Sequence, residues 1–95
     1  MILRWSALSH LDRDAIFEFI KQDSPRAAIM VDERIDAHAK QLLLFPDSGR
    51  LGRVPGTREL IVPGTSYLIV YQLAGDVIRL LRILHGAQEW PGRTE

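Results

Sequence analysis

The sequence predicts one α+β domain, residues 1–95, in which an N-terminal strand and an antiparallel helical hairpin precede a three-stranded antiparallel meander. In the first half, apolar residues recur every three or four positions, a spacing that is typical of amphipathic helices. In the second half, short runs rich in Val, Ile and Tyr alternate with Gly and Pro, which is typical of strands and turns. A chain of 95 residues can build one modest core, so a second domain is excluded.

The first helix is predicted to end near Gln22. Ser9-His10-Leu11-Asp12 resembles a capping box, in which a serine caps a free amide and an acidic residue three positions later reaches back. Apolar residues at helical spacing predict the face that docks on the sheet: Leu8, Leu11, Ala15, Phe19 and Ile20. The stretch Ile2–Trp5 before this helix is predicted to be an additional strand.

The second helix is predicted to begin at Ser24-Pro25, because serine is a good cap and proline at the first helical position loses no hydrogen bond. A second apolar stripe runs to about Leu44 and predicts another buried face: Ala28, Val31, Ile35, Ala39 and Leu42. The acidic positions on its other side, including Asp32 and Asp36, are expected to face water. A coiled-coil dimer is the alternative for such a hairpin, but no heptad repeat persists over enough turns to support it.

Residues 45–56 are predicted to be a loop that presents Arg50 and Arg53 to solvent, because Gly and Pro interrupt any regular structure there. The glycine spacing is compatible with a phosphate cradle. Such a cradle leads from a strand into the N-terminus of a helix, however, and this segment leads from a helix into a strand. We therefore interpret the segment as an ordinary connector.

The three meander strands are predicted within residues 57–62, 67–73 and 77–84, and the alternation of their apolar residues adds to the core: Leu60, Val62, Ile69, Tyr71, Leu81 and Ile83. Arg79 and Arg82 are three positions apart, so we expect them on opposite faces of the sheet, with one of them paired to a helix carboxylate. A polar tail containing Trp90 follows the last strand.

The net charge is zero, but the charge is unevenly divided between the two halves. Residues 1–49 carry a charge of about −2, and residues 50–94, whose cations are all arginines, carry about +3. Arginine favours planar, bidentate contacts with carboxylate or phosphate. The alternative is that these arginines only solvate the faces of the strands.

The chain contains no cysteine, which excludes disulfides and thiolate metal sites, and its three histidines are too dispersed to indicate zinc. We expect no metal and no cofactor. No secretion signal and no apolar stretch of the length that a bilayer requires is found, which predicts a cytoplasmic protein.

Three segments in this order carry a family resemblance: Arg58-Glu59-Leu60, Tyr67-Leu68-Ile69-Val70-Tyr71 and Ile83-Leu84-His85. They resemble the RelE/ParE superfamily of small bacterial toxins, the stable partners in type II toxin–antitoxin pairs, over essentially the whole chain. The resemblance implies a helical hairpin packed against a twisted antiparallel sheet. It also implies a cognate ParD-like antitoxin in a hetero-oligomer with the toxin, whose disordered segment folds along the flank of the hairpin and sheet.

The superfamily divides by target. RelE-like members resemble ribosome-dependent mRNA endonucleases, which need cationic side chains around the scissile phosphate. Here Glu59, Ile61 and Leu68 stand where that pattern has two lysines and an arginine. ParE-like members lack the catalytic set, end in a hydrophobic-hydrophobic-His motif such as Ile83-Leu84-His85, and resemble inhibitors of DNA gyrase. The resemblance therefore favours a gyrase inhibitor without catalytic residues; a RelE-like nuclease is the alternative, and an inert adaptor is a third hypothesis.

The predicted target-binding residues all lie in the C-terminal half: Arg58, Arg82, His85 and Trp90, with Arg50 and Arg53 as secondary candidates. His85 has two interpretations, as a general acid or base and as a hydrogen-bonded structural residue at the end of a strand. Trp90 likewise fits a contact surface or a cover over the core.

Overall fold

The computed structural model describes residues 1–91, and the contacts below refer to that part of the chain. Its elements are β1 (Ile2–Trp5), α1 (Ala7–Lys21), α2 (Pro25–Gln41), β2 (Arg50–Leu51), β3 (Arg58–Ile61), β4 (Tyr67–Ala74) and β5 (Val77–His85). The predicted order of strand, helical hairpin and meander is confirmed. The short strand β2 was not predicted and lies inside the expected loop.

The strands form one mixed sheet in the order β1-β5-β4-β3-β2. β1 pairs in parallel with β5, and all other neighbours are antiparallel. The central hairpin β4–β5 turns at Gly75, whose φ of 59° lies in the left-handed region that glycine adopts without strain. Within residues 1–91, no helix is long and apolar enough to cross a bilayer.

The two faces of the sheet differ. The inner face packs against the helices and carries the main core, whose buried members are Ile35, Ala39, Leu42, Val62, Ile69, Tyr71, Ile78, Leu80 and Ile83. The outer face, which we define by Glu59, Leu68, Val70, Arg82 and Leu84, is the opposite side of the sheet by strand register. Its buried apolar residues form a small cluster, Leu68, Val70 and Leu84, and Glu59 is buried beside them.

The capping box predicted for α1 is wrong, because the helix begins directly after β1 and Ser6 is its cap. The Ser6 hydroxyl accepts a hydrogen bond from the Ser9 amide at 3.0 Å. Ser9 itself is buried, and its hydroxyl donates to the Ser6 carbonyl at 2.8 Å.

The predicted buried stripe of α1 is also wrong, since Leu8, Leu11 and Phe19 are 55%, 63% and 68% exposed. Ion pairs fix the rotation of this helix instead. Arg13 lies 2.6 Å from Asp32 of α2, and Asp12 binds the β5 residue Arg82 at 2.7 Å. The side of α1 that faces the rest of the domain carries Asp12 and Arg13 together with Ile16, which packs against the core, and Leu8, Leu11 and Phe19 of the predicted stripe face outward.

The predictions for α2 are largely confirmed. Ser24 caps the helix by accepting from the Ala27 amide at 3.1 Å, and Pro25 occupies the first turn. The predicted stripe is buried at Ala28, Ile35, Ala39 and Leu42, and Val31 packs against the core. The helix ends at Gln41 and not near Leu44. Asp32 and Asp36 do not simply face water, because both bind Arg13.

A register shift between β4 and β5 corrects the prediction for Arg79 and Arg82. Val70 pairs with Arg82 and Tyr71 pairs with Leu80, so Leu81 is an extra residue in β5. Such a bulge shifts the alternation of side chains by one position. Both arginines consequently lie on the outer face.

Candidate target-binding face

The carboxylate of Glu59 is the centre of the outer face, and its side chain is only 1% exposed. The Arg50 Nη2 atom lies 3.2 Å from Oε1, and the Arg53 Nε atom lies 3.0 Å from Oε2. The backbone amide of Arg53 donates to the same Oε2 at 3.0 Å. The β2–β3 register explains this clamp, because Arg50 pairs directly with Glu59.

The protonation of Glu59 follows from these contacts. Burial disfavours the charged form and alone would raise the pKa, but the hydrogen bonds from Arg53 and Arg50 outweigh it and hold the pKa of Glu59 below its ordinary value. Glu59 is therefore ionised at neutral pH and binds both arginines through charge-assisted hydrogen bonds.

The C-terminal tail folds back over this face. The Arg53 Nη1 atom donates to the Gln88 carbonyl at 3.3 Å, and the Gln88 side chain accepts from the His85 amide, also at 3.3 Å. Trp90 packs against the apolar cluster of the outer face. Its indole Nε1 is buried and has no hydrogen-bond partner within the described part of the chain. The tail is thus attached to the sheet through Arg53 and Trp90.

Arg82 lies where α1 covers the end of β5. Its guanidinium binds the Asp12 carboxylate in a bidentate manner, at 2.7 and 2.9 Å, and the Ile83 amide donates to the same carboxylate at 2.9 Å. The hydrogen bond with Asp12 raises the pKa of Arg82. The guanidinium also lies 5.8 Å from the centre of the Trp90 ring. The predicted pairing of one β5 arginine with a helix carboxylate is confirmed.

The structure brings together four of the six predicted site residues. Arg50, Arg53, Arg82 and Trp90 surround the outer face. Arg58 lies elsewhere, because it pairs with Tyr71 of the inner face and donates to the Gly49 carbonyl at 2.8 Å.

His85 is also apart from this group. It is three positions from Arg82 in β5 and lies against the edge of the Tyr67 ring, with ring centres 5.7 Å apart. Its Nδ1 accepts from the Ala87 amide at 3.2 Å, which agrees with a structural role at the end of a strand. Arg50 and Arg53 are exposed at 59% and 41%, as the predicted loop implied, but they are not free.

The outer face combines an apolar depression with a carboxylate that is already bound. Ile61 pairs with Leu68 beside Glu59, and a depression of about 320 Å³ extends from Arg50 across Ile61 and Leu68 to Gly86. Acid–base catalysis needs a group that exchanges a proton at the reacting atoms. Among the described residues of this face, the one carboxylate is bonded to two arginines, and His85 points to the other side.

Sequence reasoning missed Glu59 and Asp12 as the residues that orient these arginines. A local signal existed for Glu59, since its position in the strand alternates with the core residue Leu60. No comparable signal joined Asp12 to Arg82, which lies 70 positions away.

The described chain is thus a small α+β protein, in which a helical hairpin packs on a mixed sheet with an arginine-lined face and a C-terminal tail. Residues 3–90 match the family described as the ParE toxin of type II toxin-antitoxin system, parDE. The chain belongs to this family and is the toxin of a type II toxin–antitoxin system.

Individual relatives agree with this assignment. The chain is 37% identical to Y4kP of Sinorhizobium fredii over 89 residues, covering 94% of this chain and 92% of that one. It is 33% identical to Toxin RelE2 of Caulobacter vibrioides, covering 93% and 96%. A solved structure of the chromosomal ParDE system from P. aeruginosa superposes with a TM-score of 0.80 at 27% identity, covering 90% of this chain and 95% of that chain. The predicted family and fold are confirmed.

Proposed function

We infer that this toxin inhibits DNA gyrase by binding it through the outer face. Membership in the ParE family supports this reading. The observation that carries it is the chemistry of three positions, Glu59, Ile61 and Leu68, where a RelE-like nuclease has cations. All three lie on the outer face, and the Glu59 carboxylate forms ion pairs with the guanidiniums of Arg50 and Arg53. A developing phosphate charge would find a carboxylate and two aliphatic side chains there.

The test is the supercoiling activity of purified gyrase with increasing amounts of toxin. We expect supercoiling to fall, and cells that express the toxin without antitoxin to stop growing and form filaments. Arg82→Ala and truncation before Glu89 should abolish both effects, and His85→Ala should reduce them. Arg26→Ala is the matched control, because Arg26 is an exposed arginine in the first turn of α2. Unchanged supercoiling at saturating toxin would contradict the proposal.

A RelE-like ribosome-dependent mRNA endonuclease is the second candidate, and the relatives of this chain that carry the name RelE favour it. This activity predicts codon-positioned cleavage of mRNA on translating ribosomes. Primer extension on mRNA from arrested cells distinguishes the two functions. Intact mRNA with inhibited gyrase supports the first, and cleaved mRNA with active gyrase supports the second. Either target places the action of the toxin in the cytoplasm.

A ParD-type antitoxin is the partner that we propose for the helical hairpin. The exposed stripe of α1 gives it an apolar surface, with Leu8, Leu11 and Phe19 more than half exposed. A segment that folds on binding gains its affinity from such apolar anchors. Leu11→Ala and Phe19→Ala should weaken antitoxin binding by at least tenfold, or about 1.4 kcal/mol, while growth arrest persists. Unchanged co-purification of both variants would place the antitoxin elsewhere.

A further inference from the structure

A cleft of about 210 Å³ lies at the β1 edge of the sheet, lined by residues of β1 and β5. Its lining residues are Arg4, Trp5, Ser6, Arg79 and Leu81. Arg4 and Arg79 are direct neighbours in the parallel register, so their backbones are about 4.8 Å apart. Two guanidiniums therefore flank one small cleft.

These two arginines are not used to hold the fold together. Within residues 1–91, neither forms an ion pair, whereas Arg13, Arg50, Arg53, Arg58 and Arg82 all do. Like charges directly opposite each other on neighbouring strands destabilise a sheet. An anionic ligand would relieve this repulsion.

The wall of the cleft is apolar and held in place. The Trp5 ring stacks on His10 with centres 5.8 Å apart, and the Arg13 guanidinium lies 4.9 Å from the Trp5 ring. The Ser6 hydroxyl donates to the Leu81 carbonyl at 2.9 Å. A phosphodiester would satisfy the arginines but would bury little of the apolar part of the lining, which includes Leu81. A carboxylate next to a large apolar group would satisfy both.

We propose that the Arg4–Arg79 cleft binds an acidic side chain of the antitoxin together with a neighbouring large apolar side chain. The proposal rests on the antitoxin docking described above. It adds a contact that fixes the direction in which the antitoxin segment runs along α1. Ser6, which lines the cleft, is the N-cap of α1, so the cleft lies at the N-terminal end of the helix that carries the exposed stripe. From Phe19 to Leu8 the stripe is about 16 Å long, the length of a short partner helix.

Charge complementarity favours binding of an acidic end of the antitoxin segment at the Arg4–Arg79 cleft. The hairpin beside the stripe carries carboxylates such as Asp14 and Glu18, which repel an acidic segment. The two unpaired arginines attract it at one end only. Complementary charges of this kind accelerate association and fix the orientation of a bound segment.

The first test is the dissociation constant of the toxin–antitoxin complex for Arg79→Glu and Arg4→Glu. We expect each to weaken binding about 5- to 30-fold at low salt, and less at high salt because exposed charges are screened. Arg79→Lys should retain most of the affinity, and Arg26→Glu should have little effect. The melting temperature of Arg79→Glu should be unchanged or higher, because the substitution removes a repulsion; weaker binding then cannot be attributed to unfolding.

The second test probes the cleft in the toxin alone, by the NMR signal of the Trp5 indole during titration with 4-phenylbutyrate. We expect the carboxylate to shift Trp5 and not Trp90, and its amide to have no effect. Arg79→Glu should abolish the shift. An absent shift, or an antitoxin affinity that Arg79→Glu leaves unchanged, overturns the proposal. A Trp5 shift with duplex DNA that is lost in Arg79→Glu would overturn it in favour of a phosphate site.

These outcomes are independent of the proposed target and of the stripe. Neither measurement includes gyrase, so an incorrect target leaves both readouts intact. If Leu11→Ala leaves the antitoxin affinity unchanged while Arg79→Glu lowers it, the exposed stripe is not an antitoxin contact but the Arg4–Arg79 cleft is.

Discussion

The inner and outer faces of the same sheet are built on different principles. The inner face is a continuous apolar core, with the α2 residues Ile35, Ala39 and Leu42 seated on it and fully buried. The outer face combines a small apolar cluster with a buried carboxylate, and both depend on exposed arginines and on the tail for their cover. Stability is concentrated on the inner face. The outer face is the one that we propose for target binding.

A buried polar side chain on each face, Tyr71 on the inner and Glu59 on the outer, shows the same difference between a neutral and a charged environment. On the inner face, the Tyr71 hydroxyl donates to the Pro46 carbonyl at 2.8 Å and accepts from the Gly49 amide at 2.9 Å. These are neutral bonds to backbone, and a side chain at Gly49 would approach Tyr71 within 2.7 Å. On the outer face, the anchor Glu59 is charged. Of these two anchors, Glu59 is the one that titrates at acid pH, and it therefore adds to the acid dependence of stability, as Asp36, whose pKa is also lowered, does in the helical hairpin.

The largest expected effect is on the inner face. Ile35→Ala removes a fully buried side chain from the core, which should cost about 2–5 kcal/mol of unfolding free energy. Phe19→Ala is the control, because that side chain is 68% exposed and should change stability by less than about 0.5 kcal/mol. Urea titrations of both variants measure the difference. Equal decreases in unfolding free energy for the two variants would mean that the buried and exposed sides of α1 and α2 are wrongly assigned.

A smaller and pH-dependent effect is expected for Glu59→Gln. Loss of the charge-assisted bonds should cost about 1–2 kcal/mol at pH 7, a range reduced because the partner arginines are partly exposed and screened. Since the folded pKa of Glu59 is lowered, its contribution is present above the unfolded value, about 4.3, and is lost as the pH falls through the folded pKa. The stability difference between wild type and variant should shrink from pH 5 to pH 2. A constant difference over that range would refute the ionic clamp.

For Arg82→Ala we expect a modest loss of stability, about 1–2 kcal/mol, with complete loss of toxicity. The lost bonds are those with Asp12, whose side chain remains 14% exposed and keeps its bond from the Ile83 amide. Arg26→Ala is the control, because Arg26 is exposed in the first turn of α2 and belongs to neither proposed site, and this variant should remain toxic and bind the antitoxin. Transformation efficiency and co-purification with the antitoxin check both variants. Full toxicity of a folded Arg82→Ala variant would move the target site towards Arg50 and Arg53.

The smallest effect is expected for Trp90→Phe. It keeps an aromatic ring over the outer cluster and removes a buried N–H that has no acceptor among residues 1–91. Burial of an unpaired donor is unfavourable, so the melting temperature should stay the same or rise slightly. A marked decrease would show that the indole N–H has a partner. The measurement is the thermal unfolding of the wild type and of Trp90→Phe in the same buffer.

Local pattern predicted most of the fold, because caps, apolar periodicity and turn residues act over a few neighbouring positions. The start of α2 at Ser24-Pro25 and the β4–β5 hairpin were predicted in this way. The outward stripe of α1 was misassigned for a physical reason. Apolar periodicity indicates a helix with one apolar side, but it does not say whether that side faces the core or a partner.

The candidate site was predicted only in part, because its residues meet through tertiary contacts. The sequence made Arg50, Arg53, Arg82 and Trp90 candidates for target binding, yet it could not separate them from Arg58 and His85. That separation depends on strand register, and the bulge at Leu81 places Arg79 and Arg82 on one face. A one-residue shift in register moves a side chain to the opposite face, and no local signal specified it.

By itself, the sequence determined the α+β class, the helical hairpin, the meander and the family resemblance, since each of these follows from spacing and residue type along the chain. The tertiary structure alone decided which arginines share a face, which carboxylates bind them, and which apolar stripe stays exposed. These depend on contacts such as Asp12 with Arg82 and Arg53 with Gln88, between residues 70 and 35 positions apart. Their energies are set by geometry in the folded state and by the burial of Glu59, which only the packed sheet creates.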